Sequence, residues 1–288
     1  MEKLLQWSIA QQTGDKESAE KIGQPDPKLL EQLFGGGGPD EPALMKQSIM
    51  VVENPEATLE NKQIAFDNFE MLIENLDNAN NIENLKLWTS IINQLSPEVD
   101  DSLKIYAASI IGTAVQNNPN SQEDFLKYCP QGLSKLIELS NSDNLDLQHK
   151  CLFAIASFIR NYEPGYFQFD SLNGWSLISS KLSDLSNHKT NLRVLSILSS
   201  ILSTGLNDEK ISQISNLKLI HHLVSNLHHE GHIGCIDKTL NIISQLASLN
   251  YKFSKNEIND LATGLDNVEV LKNEISEDDY NFAKQVVH

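Results

Sequence analysis

Residues 109–117 read SIIGTAVQN, and a segment of the same shape returns as FAIASFIRN at 153–161, after NFEMLIENL at 68–76 and before LSILSSILST at 195–204. Aligned on the closing apolar pair, Asn75, Asn117 and Asn161 fall 42 and 44 residues apart, and Thr204 takes that place 43 residues on. Each copy ends a longer run with apolar residues at i, i+3, i+4 and i+7, the pattern of a helix buried along one stripe. In 102–115 the stripe is Leu103, Tyr106, Ala107, Ile110, Ile111, Ala114 and Val115. Ala107, Ala108, Gly112, Ala154 and Ala156 keep these helices slim enough for neighbours to approach closely.

A second pattern precedes each long run: LWTSIINQL (87–95), GLSKLIELS (132–140), GWSLISSKL (174–182) and LIHHLVSNL (219–227). Gly132 and Gly174 open two of these, 42 residues apart, where a tight turn from a short preceding helix needs a residue without Cβ. Breakers separate the units: NNPNS from 117, SNSDN from 140, YEPGY from 162, TGLND from 204 and HHEGH from 228. A period of about 42–45 residues with two or three helices per unit is the mark of armadillo or HEAT repeats. The expected fold is therefore all-α, an armadillo-repeat right-handed superhelical solenoid over 43–254. A polar helical cap over 255–288 closes it, with eight acids against three lysines.

The amino end differs. Two short amphipathic pieces, LLQWSIA (4–10) and PKLLEQLF (27–34), precede GGGGPDEP (35–42). Four consecutive glycines hold neither helix nor strand, so 35–42 reads as a swivel and 1–34 as a flexible arm separable from the stack. No Gly-Lys-Ser/Thr follows the glycines and no strand precedes them, so the loop does not read as a phosphate cradle. Trp88 and Trp175 fall at core positions of their helices, whereas Trp7 has no stack to join.

With 22 basic against 39 acidic residues, the net charge of −17 repels phosphate backbones and anionic lipid, so neither nucleic acid nor membrane is an expected partner. From Glu53 to Asp101 eleven acids face only Lys62 and Lys86, which favours a basic surface on a protein partner. Cys129, Cys151 and Cys235 lie far apart and outside any C-x-x-C spacing, consistent with a reducing, cytoplasmic setting and with no structural zinc. No run approaches the roughly 18 apolar residues of a membrane span. Catalytic signatures are missing: no G-x-S-x-G elbow, H-E-x-x-H, dinucleotide fingerprint or kinase set. His221, His222, His228, His229 and His232 cluster in HHLVSNLHHEGH, but the face-sharing pairs His221/His228 and His222/His229 lack the i, i+4 spacing that grips a metal, and Gly231 interrupts His228 and His232. They read as exposed histidines on a helix and its exit loop. No enzyme, metal or cofactor is indicated.

The stretch ENLDNANNIENL (74–85) is rich in Asn, a weak helix former whose amide competes for nearby backbone groups. It reads as the end of one long helix (ENL), a corner (DNANN) and the start of the next helix (IENLKLW), with amides capping both ends. The same stretch, within FDNFEMLIENLDNANNIENLKLW (66–88), together with IIGTAVQNN (110–118), LFAIASFIRN (152–161), LLQWSIA and QLFGGGGPD (32–40), closely resembles the armadillo-type nucleotide exchange factors of heat-shock-70 chaperones, the fungal cytosolic branch in particular.

That resemblance implies a monomeric co-chaperone whose repeats embrace the second lobe of a cytosolic heat-shock-70 nucleotide-binding domain and open its cleft for ADP release. It further implies that the arm, carrying Leu4, Leu5, Trp7 and Ile9, competes with client polypeptide for the chaperone's substrate cleft. Matched residue by residue, the implied partner contacts are Glu74, Asn75, Asp77, Asn78, Ala79, Gln116, Asn117, Arg160, Asn161 and Arg193. Asn75, Asn117 and Asn161 are expected to form a polar ladder on successive long helices, and the planar fork of Arg193 suits a partner carboxylate. Capping or hydrogen bonding between repeats is the competing role for each. The alternative function is a peptide-binding armadillo adaptor of the nuclear-import type. However, the residues four before each ladder Asn are Met71, Thr113 and Ser157, not the Trp shelf of such adaptors.

Overall fold

The computed structural model describes residues 40–184 and 186–288. The readings made on residues 1–39, including Leu4, Leu5, Trp7, Ile9 and the four glycines, lie outside the described residues. The chain divides into two units, Met1–Leu44 and Met45–His288. In the first, the described residues Asp40–Leu44 include a short cap in which the Ala43 N–H donates to Asp40 Oδ1 at 3.0 Å.

Helices account for all the regular structure among the described residues. They are α1 (Glu41–Glu53), α2 (Leu59–Ile73), α3 (Leu76–Asn84), α4 (Trp88–Asn93), α5 (Asp101–Val115), α6 (Pro119–Tyr128), α7 (Gly132–Leu139) and α8 (Leu145–Ile159). Then come α9 (Glu163–Ser171), α10 (Gly174–Leu182), α11 (His188–Leu202), α12 (Asp208–Asn216), α13 (Leu219–Val224), α14 (Ile233–Ser248), α15 (Lys255–Val268), a 3₁₀ turn Glu269–Leu271 and α16 (Glu277–Val287). After α2 the pattern is short helix, short helix, long helix, four times over. The third helices α2, α5, α8, α11 and α14 each pack on the next, and α16 packs on α14. This is an all-α armadillo solenoid, as the repeat period leads one to expect.

The stripe read from 102–115 is buried, with Tyr106 partly so, but burial goes further: Lys104, Ala108, Ser109 and Gly112 are also inside. A third helix in mid-stack is pressed on one flank by its predecessor and on the other by its successor, so small residues are needed on both. A Cβ on Gly112 would stand 2.5 Å from the Phe153 ring and 3.2 Å from Ala154 Cα of α8. Gly132 and Gly174 have a different reason from the one the turn suggested. Neither has a positive φ; a Cβ there would lie 2.6 Å from Phe125 or 2.4 Å from Phe169, whose rings fill the angle beneath. Between the two short helices of a repeat, the left-handed turn residues are Lys86, Asn173 and Lys218, at φ 58°, 57° and 49°.

Trp88 and Trp175 are core residues, 1% and 2% exposed. Rings link the repeats: Trp88 meets Phe125 edge-on at 5.8 Å, Phe125 meets Phe158 at 4.9 Å, and Phe158 meets Tyr162 at 5.8 Å. Two breakers are also helix starts. Pro119 and Pro164 sit in the first turns of α6 and α9, where a missing N–H costs nothing.

The DNANN corner is corrected by the structure. Residues 77–81 lie inside α3. Asn75 caps it, its side chain accepting from the Asp77 N–H at 2.9 Å, while Ala79 and Ile82 are buried and Asn78 Nδ2 donates to the Leu72 carbonyl at 2.9 Å. Burial of this face against its neighbours outweighs the weak helix propensity of the asparagines. The turn comes later, at Lys86.

Candidate functional site

Where the third helices end, the chain reuses one device. Asn117, Asn161, Gly205 and Asn250 have φ of 53°, 53°, 83° and 63°, the left-handed conformation that closes a helix. They follow one another at 44, 44 and 45 residues. Asn and Gly are there because they tolerate positive φ. This corrects the ladder in two places: Asn75, although it follows its C-cap as Asn117 and Asn161 follow theirs, is extended and caps α3, and Gly205, not Thr204, continues the left-handed series. These Asn residues lie in the exits beyond the helices. The Asn161 N–H donates to Ser203 Oγ at 2.8 Å, tying one exit to the end of the next third helix.

Glu74, Gln116 and Arg160 do share one station, as C-caps of α2, α5 and α8; Glu74 and Gln116 are exposed and Arg160 is half-buried. Asp77 is exposed in the first turn of α3. Asn78 and Ala79 are inside, at 4% and 3% exposure, and the Ala79 carbonyl accepts from Ser121 Oγ of α6 at 3.4 Å. They belong to the junction between the first two repeats and present no surface to a partner here. Arg193 lies half-buried on α11 with its guanidinium 5.3 Å from the Phe153 ring centre, a cation–π placement that holds the fork across two repeats.

Residues not singled out in the sequence connect these points. Ser109 of α5 donates to Glu70 of α2 and accepts from Lys150 Nζ of α8 at 2.8 Å. Further along, Lys238 Nζ donates to Ser199 Oγ at 3.1 Å and Gln245 Nε2 donates to the same oxygen at 2.9 Å. Gln122 of α6, 2% exposed, reaches under α8 and donates through Nε2 to the carbonyls of Ser157, Phe158 and Arg160 at 3.1, 3.0 and 2.9 Å. Lys210 of α12 does the same for α11, donating to Thr204 Oγ1 and the Gly205 carbonyl, both at 2.7 Å, and resting 4.1 Å over the Tyr166 ring. Its burial pushes its pKa down, against the pull of Glu163 and Asp170.

His149 is 5% exposed, its Nε2 within 3.0 Å of Thr190 Oγ1. Burial, then Lys189 and Arg193, hold its pKa below the usual value. The three cysteines are buried, and burial pushes Cys129 and Cys151 up to about 12 and Cys235 up to about 11, which leaves them unreactive thiols. No helix among the described residues is long and apolar enough to cross a membrane. What the ladder offers is a surface of fixed hydrogen-bonding and charged side chains on rigid helices.

Comparison with known proteins places this surface in context. Residues 1–82 match the family model described as nucleotide exchange factor Fes1, and residues 78–229 match the SIL1/FES1/HPBP1 C-terminal domain. The chain is 61% identical over 290 residues to a protein of Debaryomyces hansenii named Hsp70 nucleotide exchange factor FES1, with 100% of both chains covered. Proteins of the same name from Candida albicans and Saccharomyces cerevisiae are 54% and 47% identical, covering 99% and 100% of both chains respectively. Among solved structures, a designed armadillo repeat protein in complex with the peptide (KR)4 is similar in fold, with a TM-score of 0.68 at 14% identity, over 85% of this chain and 99% of that one.

Proposed function

The chain belongs to the Fes1 family of Hsp70 nucleotide exchange factors, and from that premise we propose that it binds the nucleotide-binding domain of a cytosolic Hsp70 and accelerates ADP release. The observation that carries this reading is the joint span of the two family models, which together take in the amino-terminal segment and most of the repeats. The protein makes and breaks no bond in this role. A factor that binds the open lobe arrangement more tightly than the closed one must weaken nucleotide binding by the same ratio. A tenfold preference amounts to about 1.4 kcal/mol of coupling. Helices that pack on each other along their length suit the task, because a scaffold that yields cannot hold a partner's lobe displaced.

On this reading Glu74, Gln116, Arg160 and Arg193 touch the chaperone. Asn117 and Asn161 shape the helix exits that present them. The segment 1–34, with Leu4, Leu5, Trp7 and Ile9, promotes client release by competing for the substrate cleft. The protein acts as a monomer in the cytoplasm. Stopped-flow release of a fluorescent ADP from an Hsp70 tests the core of the proposal: acceleration by the added protein is expected, and an unchanged rate at saturating protein overturns it. Deleting residues 1–34 is expected to leave ADP release intact and slow client release; equal loss of both would contradict their separation.

A further inference from the structure

The sixth residue of the third helix is a cation in three consecutive repeats: Lys150 in α8, Arg193 in α11 and Lys238 in α14. They are spaced 43 and 45 residues apart, the repeat period itself. Arg160, the C-cap of α8, adds a fourth. The equivalent residues of α2 and α5 are Ile64 and Tyr106, so the series is confined to the centre and later part of the stack.

None of the four cations forms an ion pair with a carboxylate among the described residues. The acids on α8 and α14 are engaged elsewhere: Asp146 with Lys189 at 3.8 Å, and Asp237 with the Ser276 N–H at 2.7 Å. α11 has no acid at all. Lys150 and Lys238 are tethered only by the hydroxyls of Ser109 and Ser199, and Arg193 by the Phe153 ring. Around Lys238, burial and after it the charge of Arg160 hold the pKa down, against the pull of Asp279 of α16. Three of these half-buried cations thus recur at one position of successive third helices with no carboxylate in ion-pair contact among the described residues, in a chain whose net charge is −17.

We infer that Lys150, Arg160, Arg193 and Lys238 form a carboxylate-receiving strip, fitted to an acidic patch on the protein partner. This rests on the proposed function, and the occupant is accordingly an acidic surface of the Hsp70 nucleotide-binding domain. Such an occupant supplies charge-assisted hydrogen bonds to half-desolvated donors. Nucleic acid is disfavoured, because the rest of the molecule repels a polyphosphate. The opposite end of the ladder, with Asp67, Glu70 and Glu74 on or beside α2, carries the other sign. A partner therefore meets a surface with polarity, which fixes its orientation as well as its affinity.

The test is equilibrium binding of the full chain to full-length ADP-bound Hsp70 from about 50 to about 300 mM KCl. Lys150→Glu and Lys238→Glu are compared with Lys127→Glu and Lys252→Glu, which make the same change of net charge at exposed positions off the third helices. The wild type is expected to weaken with salt. The two strip variants should lose about tenfold or more in affinity at low salt, with a flatter salt dependence, while the controls stay within about twofold. If a reversal unfolds the chain by circular dichroism, Lys150→Gln and Lys238→Gln are expected to show about a threefold loss in its place. Equal behaviour of strip and control variants, with ADP release still accelerated, overturns the strip and leaves the proposed function standing. A wild type that neither binds nor accelerates release overturns both. Retention of a fluorescent oligonucleotide by the wild type and not by Lys238→Glu would assign the strip to nucleic acid and overturn it as well.

Discussion

Replacing Gln122 by Leu removes the donors from under α8 while nearly keeping the side chain's volume. Two N–H hydrogens on Nε2 are shared among three carbonyls, those of Ser157, Phe158 and Arg160, at 2.9–3.1 Å. These oxygens belong to the last turn of α8, where intrahelical donors run out. The Asn161 N–H goes to Ser203 Oγ and the Tyr162 N–H to the Ile159 carbonyl, so neither reaches back to them. A buried acceptor left without a donor costs about 1–3 kcal/mol, and the loss of two hydrogens amounts to about 2–5 kcal/mol. For a fold of this size that lowers Tm by about 5–15 °C. Gln122→Glu is a still closer match in shape, yet sets a carboxylate against three carbonyls at the negative end of the helix, and should be the worse of the two at pH 7. Thermal melts and urea titrations of the three proteins measure the order. If Gln122→Leu lies within about 0.5 kcal/mol of the wild type, or if Glu is no worse than Leu, the capping argument is wrong.

Four further outcomes are expected. Ala79→Arg, aimed at a residue 3% exposed, should destabilise the first two repeats by about 2–4 kcal/mol as well as lower chaperone affinity, and a variant with unchanged Tm would show that the site opens to solvent. Asn117→Gly and Asn161→Gly keep the positive φ and delete only the amide, so both should leave Tm and ADP release within error; a selective loss of chaperone binding would restore the amides as contacts. At pH 8 no thiol should react with a disulfide reagent in the native protein and all three should react in denaturant, and rapid native labelling would contradict the burial of Cys129, Cys151 and Cys235. For His149, whose pKa is lowered on folding from 6.5, the unfolded chain binds the proton more readily, so stability falls as pH drops through and below 6.5. The wild type should lose stability there relative to His149→Gln, and parallel pH profiles would refute this.

The class of fold was legible before any coordinates, because a repeat protein states its period in its own sequence. Helices α4, α7, α10 and α13 begin within the stretches marked by LWTSIINQL and its relatives, and Trp88 and Trp175 are core as their place in the pattern required. Local signals mislead where two physical roles use the same residue type. Asn marks a turn, an N-cap or a left-handed exit, and ENLDNANNIENL looks like a corner until α6 is seen to cover one side of it. The cations at the sixth position of three third helices do recur at the repeat spacing. Their shared row emerges only once the helix starts are known to the residue.

By itself, the sequence determined the period, the helical class, the large core rings and the motifs that carry the family likeness, all of which depend on neighbours close along the chain. Tertiary structure decided which flanks of each third helix are buried, that Asn78 and Ala79 turn inward, that Gln122 holds the end of α8, and that Ser109 stands between Glu70 and Lys150. Those partners lie about one repeat apart, and a contact at that separation forms only when one repeat docks on the next. Periodicity locates the helices, but their relative rotation, set by packing of side chains across the interface, chooses which atoms meet.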